Sequence, residues 1–411
     1  MDEQAHAARA ARALGGGDRG RLRAVVRSAD RHRSIVTLVV VVALVVVTGW
    51  TGIGAILARS DRHSAVHSPA ATCTAPDAPP SAIASSQVGG WPYNLLVAGT
   101  FASVTASSSS LYALQACGAQ ETELRVLELA VNGRVEAVSG GFARAALLTS
   151  SLTLAGGSLY VGTARLDLAG PTDAGPYVLT LYRLDPSTLR VLGSRSLGRG
   201  YGLFLVGTGG EVLASTGSSL LAVQGRSLSW RRLASFGSSI AQHMAVSDSS
   251  PDVAVSLFDP GSSGAATGGR IELLDDASGA VVAVDDLDAG AAVESMAFGA
   301  DGLFAAIGTG GSSEVRRLDL PGLSPAGGEP GTPTGLAATL ESITLDGTGG
   351  IVWASELTAL VCLDPLTGAE LASTTPKSPV TEVVAAGADD IALTGPGIGV
   401  LAAPAGCRAP G

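Results

Sequence analysis

Apolar positions follow two different patterns along this chain. From Ile35 to Ala58, about two dozen residues, mostly Val, Leu, Ile, Ala, Gly and Thr, pass without a charge. A helix rises about 1.5 Å per residue, so this run is predicted to cross the roughly 30 Å hydrocarbon layer of a bilayer. Beyond Gly90 the pattern changes to short apolar runs punctuated by Gly and Ser. None of these holds a helical period over three turns, so the rest of the chain is predicted to be all-β.

One unit recurs in that region: an apolar strand, a tight polar turn, then a second strand. It reads Leu181-Tyr182-Arg183-Leu184-Asp185-Pro186-Ser187-Thr188 before Leu189 to Leu192, and Ile271-Glu272-Leu273-Leu274-Asp275-Asp276-Ala277-Ser278-Gly279 before Ala280 to Val282. A third copy is Leu360-Val361-Cys362-Leu363-Asp364-Pro365-Leu366-Thr367-Gly368, with weaker copies at Val126–Gly133, Leu220–Gly225 and Val315–Gly322. Asp accepts hydrogen bonds from the backbone ahead, Pro presets φ, and Gly takes φ above zero, so these are hairpin turns. Each copy follows an inner strand pair, for instance Ser151–Ala155 with Ser158–Gly162 and Ser295–Phe298 with Leu303–Ile307.

A repeat of about 40 to 50 residues built this way predicts a β-propeller. Blades fall near 101–138, 145–197, 200–236, 240–288, 292–323 and 338–374. A last set, Thr381–Ala385, Asp390–Thr394 and Gly399–Ala403, supplies three strands, and Tyr93–Ala98 supplies the missing one. Joining chain start to chain end closes the ring and removes open sheet edges. Seven blades are expected, with six or eight as alternatives, because Pro321, Pro325 and Pro330 interrupt the outer strand of the blade near 292–323.

These units, together with Gly350-Ile351-Val352-Trp353-Ala354-Ser355 and Ser110-Leu111-Tyr112-Ala113-Leu114, resemble repeats of the quinoprotein-like, streptogramin-lyase-like and YVTN-type β-propellers over Trp91 to Cys407. The resemblance implies the fold and little about activity, because unrelated functions share this scaffold. Quinone-dependent dehydrogenases hold their cofactor against Trp and Arg with a bound cation, and no stretch here matches such a site; no cofactor is expected. Lyases of the streptogramin type use a catalytic His.

Charge sets the expected topology. Eight Arg between Arg9 and Arg33 stand against Asp2, Glu3, Asp18 and Asp30, leaving +4 before the apolar run and -14 after it out of a total of -10. Basic flanks stay cytoplasmic. The reading is therefore a disordered basic tail at 1–34, an uncleaved signal-anchor at 35–58, a Ser/Ala/Pro-rich tether at 59–90 and an extracytoplasmic propeller at 91–411. A cleaved signal peptide has a shorter apolar core, about 7 to 15 residues. Nucleic acid is not an expected partner of the acidic body.

Candidate chemistry is sparse. His243 is the one His of the propeller region. It lies in Ala241-Gln242-His243-Met244-Ala245-Val246, where a packed or surface imidazole competes with a catalytic base. No zinc-ligand spacing, Walker loop, nucleophile elbow or dinucleotide fingerprint occurs, and no metal site is expected. If the blade boundaries hold, Asp167, Asp173, Asp259, Asp285, Asp286, Asp288 and Glu294 share one end of the propeller as an acidic ligand or partner face. Asp286-Leu287-Asp288-Ala289-Gly290 lacks the ligand set of a calcium loop, so a solvated acidic rim is favoured over a metal.

Four cysteines, Cys73, Cys117, Cys362 and Cys407, fit an oxidising exterior. Cys73 precedes and Cys407 follows the strands that close the ring, so these two are expected to pair. Cys117 is a competitor for either partner, and Cys362 is expected as a buried thiol. Two functional classes follow: a membrane-tethered module that binds a protein or small-molecule ligand on a propeller face, which is favoured, and an extracytoplasmic lyase or quinone-dependent oxidoreductase.

Overall fold

The repeated units form antiparallel sheets of four or five strands arranged as seven blades. The computed structural model describes residues 86–88 and 91–407, apart from 108, 118–122, 131–133, 144, 146–148, 169–174, 248–249, 260–268, 300–301, 310–311, 326–339, 346–350, 357–358, 367, 376–379, 387–389 and 395–396. The expected basic tail and membrane span, and the tether up to residue 85, lie outside these residues. Among the described residues no helix is long and apolar enough to cross a membrane.

Strands are lettered A to D from the centre outward. Blade 4 shows the plan: A is Ile240–Val246, B is Asp252–Phe258, C is Gly269–Asp275 and D is Val281–Asp286, each antiparallel to the next. The A strands of blades 1 to 7 are Phe101–Ala106, Ser151–Ala155, Phe204–Gly207, Ile240–Val246, Ala291–Phe298, Leu340–Leu345 and Glu382–Ala385. Each touches the A strand of both neighbours, and the seventh touches the first, so the ring is closed.

Closure uses both ends of the described chain. Blade 7 orders its strands as Glu382–Ala385, Asp390–Thr394, Gly397–Ala402 and then Trp91–Ala98, whose Val97 stands opposite Ile398. A fifth strand, Ser86–Val88, pairs with Trp91–Tyr93 on the outer edge. It falls inside the stretch expected to be tether, whose polar composition hid a short edge strand.

Burial explains the composition. Middle strands are covered on both faces by neighbouring blades, so Ser110–Cys117 and Glu123–Ala130 are buried almost throughout; they are mostly apolar, and Arg125 donates to Gln115 between them at 2.9 Å. Outer strands such as Val191–Gly200 are mostly exposed and polar. A separate apolar cluster fills each blade boundary. The one between blades 6 and 7 holds Trp353, Cys362, Val383, Ile391, Leu401 and Cys407. The boundary between blades 7 and 1 holds Leu96, Val97, Val104, Leu111 and Ile398.

The polar turns join strands C and D. Asp185 Oδ1 accepts the N–H groups of Ser187 and Thr188 at 3.0 Å, and Asp275 and Asp364 accept N–H groups of Ser278 and Leu366 in the same way. The fifth turn residue has positive φ in blades 2 to 6. Gly279 and Gly368 take it freely, whereas blades 2, 3 and 5 place Leu189, Leu228 and Leu323 there. Each of these Leu side chains is buried, and the apolar area removed from water offsets the steric cost of about 1 to 2 kcal/mol. Blade 5 has the weak outer strand that its prolines foretell: only Ser324–Pro325.

The cysteines correct the expected pairing. Cys407 bonds Cys362, not Cys73, with Cα atoms 5.9 Å apart. After the last strand a 3-10 turn at Ala405–Cys407 folds the chain back onto blade 6, where Cys362 points into the boundary with blade 7. Cys362 is therefore a bridge and not a thiol. Cys117 is also disulfide-bonded. Cys73 lies outside the described residues.

Candidate functional site at the loop end of blades 4 to 6

Antiparallel order sends the B–C and D–A connections to one end of the propeller and the A–B and C–D turns to the other. Asp167 and Asp259 follow B strands, Asp285 and Asp286 end a D strand, Asp288 lies in a D–A connection, and Glu294 sits early in the A strand of blade 5. All belong to the first end. Asp173 lies outside the described residues.

Arginines reshape this rim. Arg199 Nη1 reaches the Asp167 carboxylate at 2.7 Å, and its Nη2 donates to the Asp167 backbone oxygen at 2.6 Å. Arg270 bridges Asp259 at 3.0 Å and Glu272 at 2.8 Å. Arg316 joins Glu314 at 2.6 Å and lies 3.9 Å from Asp285. Blades 4 and 5 thus carry the pair in opposite order along strand C, Arg270 before Glu272 and Glu314 before Arg316. Sequence reasoning placed the carboxylates but missed these partners, which stand on C or D strands 11 to 32 residues further along the chain.

Asp286 and Asp288 are exposed, and neither makes an ion pair among the described residues. They raise the pKa of Asp285, whose burial is the larger cause and which Arg316 opposes. The site therefore already holds more negative charge than its arginines neutralise.

The inner edge adds two carboxylates from β-bulges. Register slips between Ala241 and His243, between Val293 and Ser295, and between Leu340 and Ser342, leaving Gln242, Glu294 and Glu341 as the extra residues of consecutive A strands. Bulges re-aim a side chain and are common beside functional sites. Burial and the charge of Glu341 push the Glu294 carboxyl above its usual range. Glu294 lies across Gly308, where any Cβ would collide with its carboxylate. The signal for Glu341 was present in the sequence: an apolar residue, a long polar one and a small or imidazole side chain recur as Ala241-Gln242-His243, Val293-Glu294-Ser295 and Leu340-Glu341-Ser342.

His243 occupies the small-residue position of this set, half-buried on its A strand. Its backbone N–H donates to Ser256 Oγ at 2.9 Å, while its ring makes no hydrogen bond or ion pair among the described residues. Although part of its surface is accessible, surrounding protein atoms desolvate the imidazolium and lower its pKa to about 4. The ring is neutral at ordinary pH, and no carboxylate orients it. Among the described residues no His, Cys, Asp or Glu group converges as a metal site.

Ring closure, blade count and strand order define the class: the chain is a seven-bladed β-propeller. Among solved structures it resembles the β-propeller domain of Cps50 (Swd1) from Myceliophteria thermophila, with a TM-score of 0.55 at 13% identity, covering 76% of this chain and 98% of that one. The computationally designed Ika8 protein aligns with a TM-score of 0.47 at 14% identity over 74% of this chain and 96% of that one. No family model matches the sequence, and no curated protein matches it.

Proposed function

We propose that this chain is a membrane-anchored binding module whose propeller stands outside the cytoplasm and takes a cationic segment of a partner protein at the loop end of blades 4 to 6. The observation that carries the reading is the excess of carboxylates there. Asp286, Asp288, Glu294 and Glu341 share this end with four carboxylate groups, those of Asp259, Glu272, Asp285 and Glu314, that Arg270 and Arg316 already hold in place. A rigid rim with uncompensated negative charge attracts a basic ligand and speeds its encounter. Support for the anchor is the uncharged run Ile35 to Ala58 and its Arg-rich flank.

An Arg/Lys-rich synthetic peptide titrated into the full-length protein by calorimetry tests the binding face. Binding that weakens with salt and drops at least about tenfold in the variant D288N/E294Q/E341Q supports it. Equal affinity in wild type and variant rejects it. Protease added to intact cells tests the anchor: the propeller is digested if it stands outside and survives if it does not.

A further inference from the structure

Charge is split sharply around the ring. From Ser151 to Ser235, blades 2 and 3, eight Arg face four Asp and Glu; from Ile240 to Pro325, blades 4 and 5, three Arg face thirteen. The ion pairs sharpen the contrast. Arg165, Arg190, Arg195, Arg226 and Arg232 are exposed, their guanidinium groups make no ion pair or hydrogen bond among the described residues, and all belong to blades 2 and 3.

Exposed large apolar side chains occur at several places around the ring, and four of them lie on the adjacent outer strands of blades 3 and 4. The D strand of blade 3, Trp230–Ser235, shows Trp230 at 40% exposure beside Arg231 and Arg232. The D strand of blade 4, Val281–Asp286, shows Val281 at 55%, Val282 at 49% and Val284 at 45%, between Asp276 at one end and Asp286 at the other. These are outermost strands with an open edge. Such edges are normally shortened, charged or covered. Blade 5 shortens its edge to Ser324–Pro325 and blade 7 covers its edge with Ser86–Val88. Blade 4 is neither shortened nor covered, and the first four residues of its edge, Val281 to Val284, carry no charge; an apolar strip of this kind marks an interaction surface.

We propose that the outer strands of blades 3 and 4 form a self-complementary surface that pairs two copies of this chain about a two-fold axis. Because the basic, tryptophan-bearing strand and the acidic, valine-bearing strand are on consecutive blades, a two-fold rotation sets the first of each copy against the second of the other. Trp230, Arg226 and Arg232 of one copy meet Val282, Val284, Asp276 and Asp286 of its partner, and the same contact repeats across the axis. This is the isologous arrangement that most homodimers adopt. Opposite charge fixes register and partner, while the apolar centre supplies the burial. The surface lies on the outer circumference and shares Asp286 alone with the acidic rim, whose Glu294 and Glu341 belong to innermost strands.

The full-length protein in mild detergent tests this by analytical ultracentrifugation. Wild type is expected to dimerise, with a dissociation constant that rises at least about tenfold between about 50 mM and about 500 mM salt. R226E/R232E alone and D276R/D286R alone are expected to stay monomeric, because each then opposes like charges at both contacts. Mixing those two variants restores a heterodimer. The variant W230S/V282S weakens the wild-type dimer without altering charge. A monomeric wild type at low salt overturns the proposal, as does a dimer unchanged by both charge reversals. So does a wild type that remains monomeric but binds anionic lipid through the same arginines.

Discussion

Glu382, on the innermost strand of blade 7, accepts the backbone N–H of Val104, on the innermost strand of blade 1, at 3.1 Å across the point where the ring closes. The two preceding boundaries use a hydroxyl at this place: Ser295 Oγ accepts the N–H of Ile343 at 3.1 Å and Ser342 Oγ accepts that of Val383 at 3.3 Å. Innermost strands have a free edge, and these side chains satisfy amides that no ladder reaches. Of these three boundaries, the closing one entrusts the task to an ionisable group.

Burial pushes the Glu382 carboxyl from an ordinary 4.5 up to about 8, with the Val104 hydrogen bond opposing. The folded protein therefore keeps a proton that the unfolded chain releases between those values. Because the folded state binds more protons there, stability falls as pH rises from about 4.5 to about 8. Asp285 and Glu294, also raised, add to the slope. Thermal melts across this range should show a shallower decline for E382Q than for wild type. E382S, which copies the neighbouring boundaries, should flatten it similarly and keep the amide satisfied. Parallel slopes for all three proteins would contradict this account.

The Cys362–Cys407 bridge spans 45 residues and ties the last turn to blade 6. In the loop-entropy model such a cross-link is worth about 4 kcal/mol, reduced by any strain. C407S is expected to lower the denaturation midpoint by an amount equivalent to about 2 to 4 kcal/mol, and reductant should affect it less than wild type. Peptide mapping of the oxidised protein should recover Cys407 joined to the Cys362 peptide.

Val97 tests the closing strand. It is buried between Ile398 and blade 1, so Val97→Ala should cost about 2 kcal/mol, and Val97→Asp, which buries an unpaired charge, should cost more or unfold the ring. Urea titration followed by tryptophan fluorescence measures both. A neutral V97D would mean that the strand Trp91–Ala98 does not close the propeller.

Leu189 and Leu228 hold positive φ and are kept there by burial. Leu→Ala at either site removes packing without relieving the backbone, and should cost about 2 to 4 kcal/mol. Leu→Gly loses slightly more burial but gains the backbone freedom that Gly279 and Gly368 already use, so it should cost no more than Ala. Comparison of the paired variants by chemical denaturation separates the two effects.

Much of this molecule was legible as sequence because its information is local. The Asp-led turns at Asp185, Asp275 and Asp364 and the apolar runs between them are each readable within a dozen residues, and with the strand count at the two ends they point to an all-β ring in which seven blades are expected and six or eight stay open until the structure decides. The acidic residues of the loop end could be assigned to one end from strand order alone. Tertiary structure decided what proximity decides. It set Arg199, Arg270 and Arg316 against those carboxylates, chose Cys362 for Cys407, and brought Glu382 to Val104 across 278 positions of sequence. No local pattern carries these pairings, because blade packing brings together side chains whose spacing along the chain has no bearing on their distance in space.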